Sequence, residues 1–333
     1  MRQIAIYHPQ IGWWYLPNLR AMIPLQDRPF LLRTNSVGMR SSREYPLAKP
    51  PGRRRGVLIG DSYTVGWGVN NGDCFSELLE SKYPGLDVMN FALSGTGTDQ
   101  QLLIYENIAK RFEADFYIFA PSTINIERNE VRWMPLVRQS GVRAKPYFTL
   151  DEGHTLVLHN VPVPNVHLSE KEITRRPEAL SVLDYSPDLA KILRVTPEWL
   201  RWSDLFIRMS LILRQPYRGY GTKNSKSWLL MRAILDRFIE QVNGKPVFIV
   251  PLPIYHHIEM NLAPTYLSRF LELHDPKRNC FVIDVLPNFR RLSREERRMC
   301  RLVNDGHYSQ QGHKIVSEAI SNTLAERCPN MLS

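Results

Sequence analysis

The stretch VLIGDSYT, Val57–Thr64, decides the fold of this chain. Its apolar run ends abruptly at Asp61 and Ser62, and a continuous run of this kind is typical of a strand buried on both faces of a parallel sheet. The sequence GDSYT at Gly60–Thr64 then predicts a tight strand-to-helix turn at the carboxyl end of that strand, where open α/β folds hold their sites. GDS alone is a common tripeptide, but in this position it makes Ser62 a candidate nucleophile.

Outward from this stretch, short apolar runs alternate with helical patterns. The alternation predicts right-handed βαβ units and an α/β fold: a three-layer α/β/α sandwich around a mainly parallel five-stranded sheet of the flavodoxin-like type. The other predicted strands are DVMNF (Asp87–Phe91), DFYIF (Asp115–Phe119), VFIVP (Val247–Pro251) and FVIDV (Phe281–Val285).

Capping residues and amphipathic spacing predict the helices. Asp73 is expected to cap one helix, and Thr98 with Gln101 has the spacing of a capping box. Residues Trp228–Val242 are strongly amphipathic, and Ser309 is expected to cap a C-terminal helix.

Two regions depart from this alternation. Residues 1–55 contain isolated prolines and no clear helix, which predicts an extended lead-in packed on a main domain at 56–333. Residues 130–228 exceed a normal crossover and predict an insertion or lid, and alternating apolar and polar residues around Glu152 predict a β-hairpin within it.

A second motif lies near the C-terminus, NDGHYSQQGHKIVSEAI at 304–320. A serine nucleophile needs a base within hydrogen-bond reach, and the base needs a carboxylate to orient it. Asp305 and His307 stand two residues apart, so one loop can deliver both groups. Alone, this pair is more typical of an Asx turn with a surface histidine. Together with GDSYT, it predicts a catalytic base and its partner.

With these two motifs the chain resembles the SGNH (GDSL-like) hydrolases, from about residue 50 to the C-terminus, and TNSVGMR at Thr34–Arg40 resembles the lead-in of many members. The resemblance implies that Ser62 is the nucleophile. It also implies an oxyanion hole that includes the backbone N–H of a glycine after the second strand. That glycine matches Gly95 in NFALSGTGTDQQ, and its N–H is expected to join the N–H of Ser62.

The third conserved block of the family, which follows the third strand, reads Gly-x-Asn-Asp, and its Asn side chain is a further oxyanion donor. This chain departs from that pattern. This chain reads FAPSTINIERN at Phe119–Asn129. Asn125 is the nearest asparagine and is predicted as the donor, whereas a strict alignment places Ile124 there and leaves one donor missing. Asn129 is a turn or cap residue in this interpretation.

The fourth conserved block of the family corresponds to the C-terminal motif at 304–320, and here the chain departs less from the family pattern. The usual spacing puts an Asp three residues before the His, where this chain has Asn304. Relatives that act in polysaccharide acetylation have it two residues before, which matches Asp305, and we favour Asp305 because only a carboxylate supplies the charge. His313 is a weaker candidate base because it falls inside the following predicted helix.

The resemblance implies a serine ester hydrolase that acts through an acyl-enzyme and needs no cofactor or metal. The implied substrate is an O-acetyl or other short-chain acyl ester of a carbohydrate or small metabolite. Two alternatives stay open: an O-acyltransferase using the same acyl-enzyme, and a catalytically degenerate SGNH-like binding module.

Composition and charge limit the classes of molecule that the chain is expected to bind. The chain has 333 residues, 43% hydrophobic and 23% charged, as in an ordinary globular protein, and a net charge of +10. The basic residues form no long tract, and there is no zinc-finger spacing or RNA-binding motif, so we expect no nucleic-acid partner. The cluster Arg290–Arg301 has the spacing of a solvated helix face, and the alternatives are contact with an anionic substrate, an acidic polysaccharide or a membrane surface.

Other patterns are weak. Cys74, Cys280, Cys300 and Cys328 show no paired spacing, which favours reduced thiols. No membrane span or signal peptide is visible, and a cytoplasmic location is expected. His256-His257 with Glu259 lacks an identifiable third ligand, so no metal site is predicted. Surface positions are expected for His154 and His159, and structural packing is at least as good an interpretation as a substrate groove for Trp13-Trp14 and Trp67.

Overall fold

A computed structural model describes residues 3–135, 142–168, 172, 218–259, 263–327 and 329. Its central sheet has five strands in the order β2-β1-β3-β4-β5, and every neighbouring pair is parallel. This is the flavodoxin-like order, so the predicted fold class is confirmed. The strands are β1 (Arg54–Gly60), β2 (Leu86–Asn90), β3 (Phe116–Ala120), β4 (Val247–Ile249) and β5 (Cys280–Val282).

Two pairs of helices flank the sheet: α2 (Phe75–Lys82) packs against α10 (Gln310–Arg327), and α3 (Thr98–Asn107) packs against α5 (Lys226–Gln241). Ser309 Oγ accepts a hydrogen bond from the Gly312 N–H at 3.4 Å, as its predicted capping role requires. The remaining helices are α1 (Ser62–Val65), α4 (Asn125–Arg128), α6 (Tyr255–Glu259), α7 (Thr265–Phe270), α8 (Leu286–Arg290) and α9 (Arg294–Met299), with 3₁₀ turns at Ala109–Arg111, Arg218–Tyr220, Leu271–Leu273 and Pro276–Arg278.

Two of the predicted caps are wrong. Helix α2 follows Cys74 without a side-chain cap, and Asp73 instead accepts a hydrogen bond from Gln310 at the start of α10. Thr98 is the first residue of α3 rather than its cap, because its hydroxyl accepts a hydrogen bond from the Asn129 amide at 2.7 Å. In both cases a tertiary partner takes the side chain that local spacing assigned to the helix end.

Shorter strands lie outside the central sheet. The hairpin predicted around Glu152 is confirmed as Tyr147–Leu150 paired with Leu156–His159. Residues 136–141, 169–171 and 173–217 of the predicted lid lie outside the described residues. The division into lead-in, main domain and lid stays a prediction. Before β1 there are two further hairpins, Ala5–His8 with Gly12–Tyr15 and Arg20–Ile23 with Phe30–Arg33, and a three-stranded sheet joins Trp133–Pro135, Val142–Ala144 and His167–Leu168.

Several smaller expectations concern single side chains. Cys74, Cys280 and Cys300 are buried free thiols, while Cys328 lies outside the described residues. Trp13, Trp14 and Trp67 are buried, which agrees with structural packing. Helix α9 buries none of its residues, so that part of the basic cluster is the predicted solvated face. No helix in the described part of the chain combines the length and apolar character needed to cross a bilayer.

Candidate active site

The serine turn follows directly from the end of β1. Asp61 caps α1 by accepting a hydrogen bond from the Tyr63 N–H at 3.0 Å, and Ser62 is the first residue of that helix. A side chain is excluded at Gly60, because a Cβ there would lie 2.6 Å from the Ala120 carbonyl oxygen. The sheet order reverses beside β1, at the switch point where such folds bind ligands outside the carboxyl ends of the strands.

Three predicted site residues meet in one hydrogen-bonded chain. His307 Nε2 lies 2.8 Å from Ser62 Oγ, and His307 Nδ1 is hydrogen bonded to Asp305 Oδ1. Tyr63 supports the imidazole: the two ring centroids are 4.7 Å apart, and the Tyr63 hydroxyl donates to the Gly306 carbonyl. This arrangement can pass the Ser62 proton to a base whose other nitrogen is held by a carboxylate.

Asn304 and His313 lie away from this chain of hydrogen bonds. The Asn304 side chain and N–H both donate to the Asp27 carboxylate, so Asn304 ties the loop to the N-terminal segment. His313 is buried in α10 against the ring of Phe75, and burial lowers its pKa to about 3. A group that stays neutral and enclosed is poorly suited to accept a proton from Ser62.

The Gly95 loop is held by β1 on one side and by the N-terminal hairpin on the other. Leu93 N–H donates to the Gly60 carbonyl, the Tyr15 hydroxyl is hydrogen bonded to Ser94 Oγ, and the Trp13 indole donates to the Ser94 carbonyl. Gly95 has φ +79°, a conformation that favours glycine. Among the described residues, neither the Ser62 nor the Gly95 N–H donates a hydrogen bond, so both are available to a ligand.

Asn125 contacts the serine turn through the Asp61 carboxylate. Its amide donates to Asp61 Oδ2 at 2.5 Å and to Ser122 Oγ at 3.0 Å, and its oxygen accepts from Gln101. The side chain is fully buried. Its role as an oxyanion donor stays a prediction, and these bonds do not favour it, because both amide hydrogens are already directed at other acceptors.

The sequence reasoning missed the two arginines that hold the serine turn. Arg128 forms an ion pair with Asp61 at 3.2 Å and donates to the Thr96 carbonyl in the Gly95 loop. Arg40 is buried and donates to the last carbonyls of α1 and to Val69, which satisfies a helix end that α1 cannot complete itself. TNSVGMR, which ends at Arg40, was the only sequence signal for that contact.

The remaining histidine candidates have structural contacts. Glu259 is paired with Arg301, and burial lowers the pKa of His257 to about 4. His159 is hydrogen bonded to Thr149 and stacks on Tyr147 in the hairpin. Among the described residues, no three His, Cys, Asp or Glu side chains form a group that could hold a metal ion.

Neither a family model nor a curated protein matches this chain. The solved structures that are similar to it include the following three. A lipolytic G-D-S-L family member from Veillonella parvula DSM 2008 is 11% identical with a TM-score of 0.41, covering 82% of this chain and 98% of that chain. A lipase/acylhydrolase from Enterococcus faecalis is 13% identical with a TM-score of 0.43, covering 82% and 96%. An alpha/beta hydrolase from the metagenome of Lake Arreo, Spain, is 13% identical with a TM-score of 0.45, covering 81% and 94%. The fold assignment rests on the strand order of the sheet.

Proposed function

We propose that this protein is a serine ester hydrolase that acts through an acyl-enzyme. The observation that carries the proposal is the contact of His307 Nε2 with Ser62 Oγ at 2.8 Å, in a histidine whose Nδ1 is bonded to Asp305. A hydroxyl, a base and an orienting carboxylate in this order are what nucleophilic attack on an ester requires.

In the first half-reaction, Ser62 Oγ attacks the ester carbonyl carbon while its proton passes to His307 Nε2. The tetrahedral intermediate then expels the alcohol oxygen, which takes that proton from His307, and the acyl group remains on Ser62. In the second half-reaction, water attacks the acyl carbonyl carbon while one of its protons passes to His307 Nε2. The bond between the acyl carbon and Ser62 Oγ then breaks, Oγ takes the proton back from His307, and the carboxylic acid is released. Asp305 stabilises the imidazolium in both halves.

The N–H groups of Ser62 and Gly95 are the proposed oxyanion donors. Backbone donors suit this role because they are fixed before the reaction and need no reorganisation as charge develops. The hydrogen bonds of Trp13 and Tyr15 to Ser94 support it, since they fix the residue directly before Gly95. The proposed substrate is a short-chain acyl ester, such as an O-acetyl ester of a carbohydrate or small metabolite.

A fluorophosphonate probe tests the proposal directly. We expect covalent labelling of Ser62, located by peptide mapping, and loss of labelling in Ser62→Ala. Hydrolysis of short-chain aryl esters should disappear in the same variant. A protein that is folded but takes no label at Ser62 is a binding module rather than an enzyme. Product analysis with an added acceptor alcohol separates release of the acid from transfer of the acyl group.

A further inference from the structure

A cavity of about 240 Å³ lies between the N-terminal hairpin and the strand Val142–Ala144. Its lining includes Tyr7, Trp13, Arg143 and His167, and none of the lining residues is acidic. The rim residues Ile6, Tyr7 and Val166 are exposed, so the cavity is accessible from solvent.

Among the described residues, the fully buried cations have partners, whereas the half-buried Arg143 pairs with no carboxylate. Arg55 reaches Asp87, Lys145 pairs with Asp99, and Arg40 donates to three carbonyls. The guanidinium of Arg143 lies 3.5 Å from the centroid of the Trp13 ring, and its Nε is buried with no hydrogen-bond partner in the described part of the chain. A half-buried charge without a counterion carries part of the cost of burial, and a cation–π contact offsets only some of that cost.

The pKa of Arg143 is consistent with a charge that lacks a counterion. Burial lowers the pKa of Arg143 to about 10. The side chain is therefore still charged at neutral pH, and an anion beside it would relieve the penalty of burial.

The Trp13 indole lines the cavity and also contacts the proposed oxyanion loop. The face of Trp13 carries Arg143, its Nε1–H donates to the Ser94 carbonyl, and its Cζ2 is 3.8 Å from where a Cβ of Gly95 would stand. A group bound on Arg143 is thus linked through a single rigid side chain to the loop that would hold the reacting carbonyl.

We propose that this cavity is a subsite for a carboxylate, so that the ester substrate carries a carboxylate elsewhere in the molecule, as an acylated acidic sugar does. This inference rests on the proposed esterase function and names its substrate class. A guanidinium binds a carboxylate through two parallel hydrogen bonds, and one monoanion matches the single charge of Arg143. The net charge of +10 attracts such a substrate over a longer range.

The kinetic test compares O-acetylated methyl glucoside with O-acetylated methyl glucuronide, which differ only by a CH₂OH or a carboxylate at C6. We expect the wild type to prefer the glucuronide ester. In Arg143→Met that preference, measured as the ratio of kcat/KM values, should fall about 10- to 100-fold, as expected for loss of a charged hydrogen bond. Arg143→Lys should restore part of it. Arg132→Met is the matched control, because Arg132 lies over Tyr147 and outside the cavity, and it should leave the ratio unchanged.

Calorimetric titration with free glucuronate, glucose and glucose 6-phosphate tests the subsite without any turnover. Glucuronate should bind the wild type, and its affinity should drop in Arg143→Met but not in Arg132→Met. Equal loss of both acetyl esters in Arg143→Met with no glucuronate binding would show that Arg143 only packs on Trp13. Binding of glucose 6-phosphate alone would make the subsite one for phosphate. If glucuronate binds but no ester is hydrolysed, the esterase proposal fails while the subsite stands.

Discussion

The loop that carries Asp305 and His307 and the helix α4, which begins at Asn125, both lie at the carboxyl edge of the sheet, yet they contact the serine turn differently. The loop contacts Ser62 Oγ through the His307 imidazole, whereas the Asn125 side chain donates a hydrogen bond to the Asp61 carboxylate. Asn125 lies near the position of the family's Gly-x-Asn-Asp motif, yet its side chain bonds to Asp61, so a polar residue near a motif position need not face the reacting atoms. Here one loop carries the proposed proton-transfer groups, and α4 holds Asp61, the residue next to the proposed nucleophile.

The largest expected effect is at the residue that both regions serve. Ser62→Ala should reduce hydrolysis of short-chain aryl esters by about 10³- to 10⁶-fold, because the proposed acyl-enzyme forms on the Ser62 hydroxyl. Steady-state kinetics measure the loss, and circular dichroism checks that the fold is intact. Ser81→Ala, an exposed serine on α2, is the matched control and should keep its activity. Turnover in Ser62→Ala close to that of the wild type would overturn the central assignment.

The next prediction separates the two adjacent residues of the fourth block. Asp305→Asn should lower kcat about 10⁴-fold, since an amide neither fixes the required tautomer of His307 nor stabilises its charged form. Asn304→Ala should cost far less, because Asn304 bonds to Asp27 and not to the imidazole. The measurement is kcat/KM for both variants with one substrate. A larger loss at Asn304 would mean that the partner of His307 has been misassigned.

A third prediction tests the other side of the comparison. If Asn125 supports Asp61, Asn125→Ala should lower the free energy of unfolding by about 1–3 kcal/mol, because the buried Asp61, Ser122 and Gln101 each lose a hydrogen bond. An oxyanion donor would instead lower kcat by about 10²- to 10³-fold with an unchanged KM. Urea unfolding and kinetics on the same samples distinguish the two.

Asn129→Ala is the control for that experiment. Asn129 bonds to Thr98 and Asp99 at the start of α3 and not to Asp61, so its loss should affect stability with little effect on kcat. A large fall in kcat confined to Asn125→Ala, without loss of stability, would reinstate Asn125 as the oxyanion donor. A large fall confined to Asn129→Ala would move that role to Asn129.

Local patterns predicted much of this molecule, and tertiary contacts explain the rest. The buried runs located all five strands, and the spacing of Asp305 and His307 located the loop, because these signals lie within a few consecutive residues. The caps at Asp73 and Thr98 were wrong because Gln310 and Asn129, distant in sequence, take those side chains. Arg128 was missed for the same reason, since its partner Asp61 lies in another part of the chain.

The smallest effect concerns His313, the second histidine of the fourth block. Burial lowers its pKa to about 3, with Arg40 and His307 adding repulsion, so it is neutral in the folded state and titrates near pH 6.5 when unfolded. The unfolded chain therefore binds the extra proton, and stability falls as the pH drops from about 6.5 towards 3. At pH 4 the contribution is up to about 3 kcal/mol relative to neutral pH.

Replacing His313 by Leu should remove that part of the pH dependence and leave the dependence from the carboxylates in place. Urea unfolding of both proteins at pH 7, 5 and 4 measures the difference in slope, which does not depend on the absolute stability of the variant. His313→Gln serves the same purpose if the Leu variant does not fold. The pH profile of kcat/KM should be unchanged in either variant, because in the proposed mechanism His307 and not His313 exchanges the proton of Ser62. A shifted pH profile of kcat/KM together with an unchanged slope of stability would show that His313 titrates within the site.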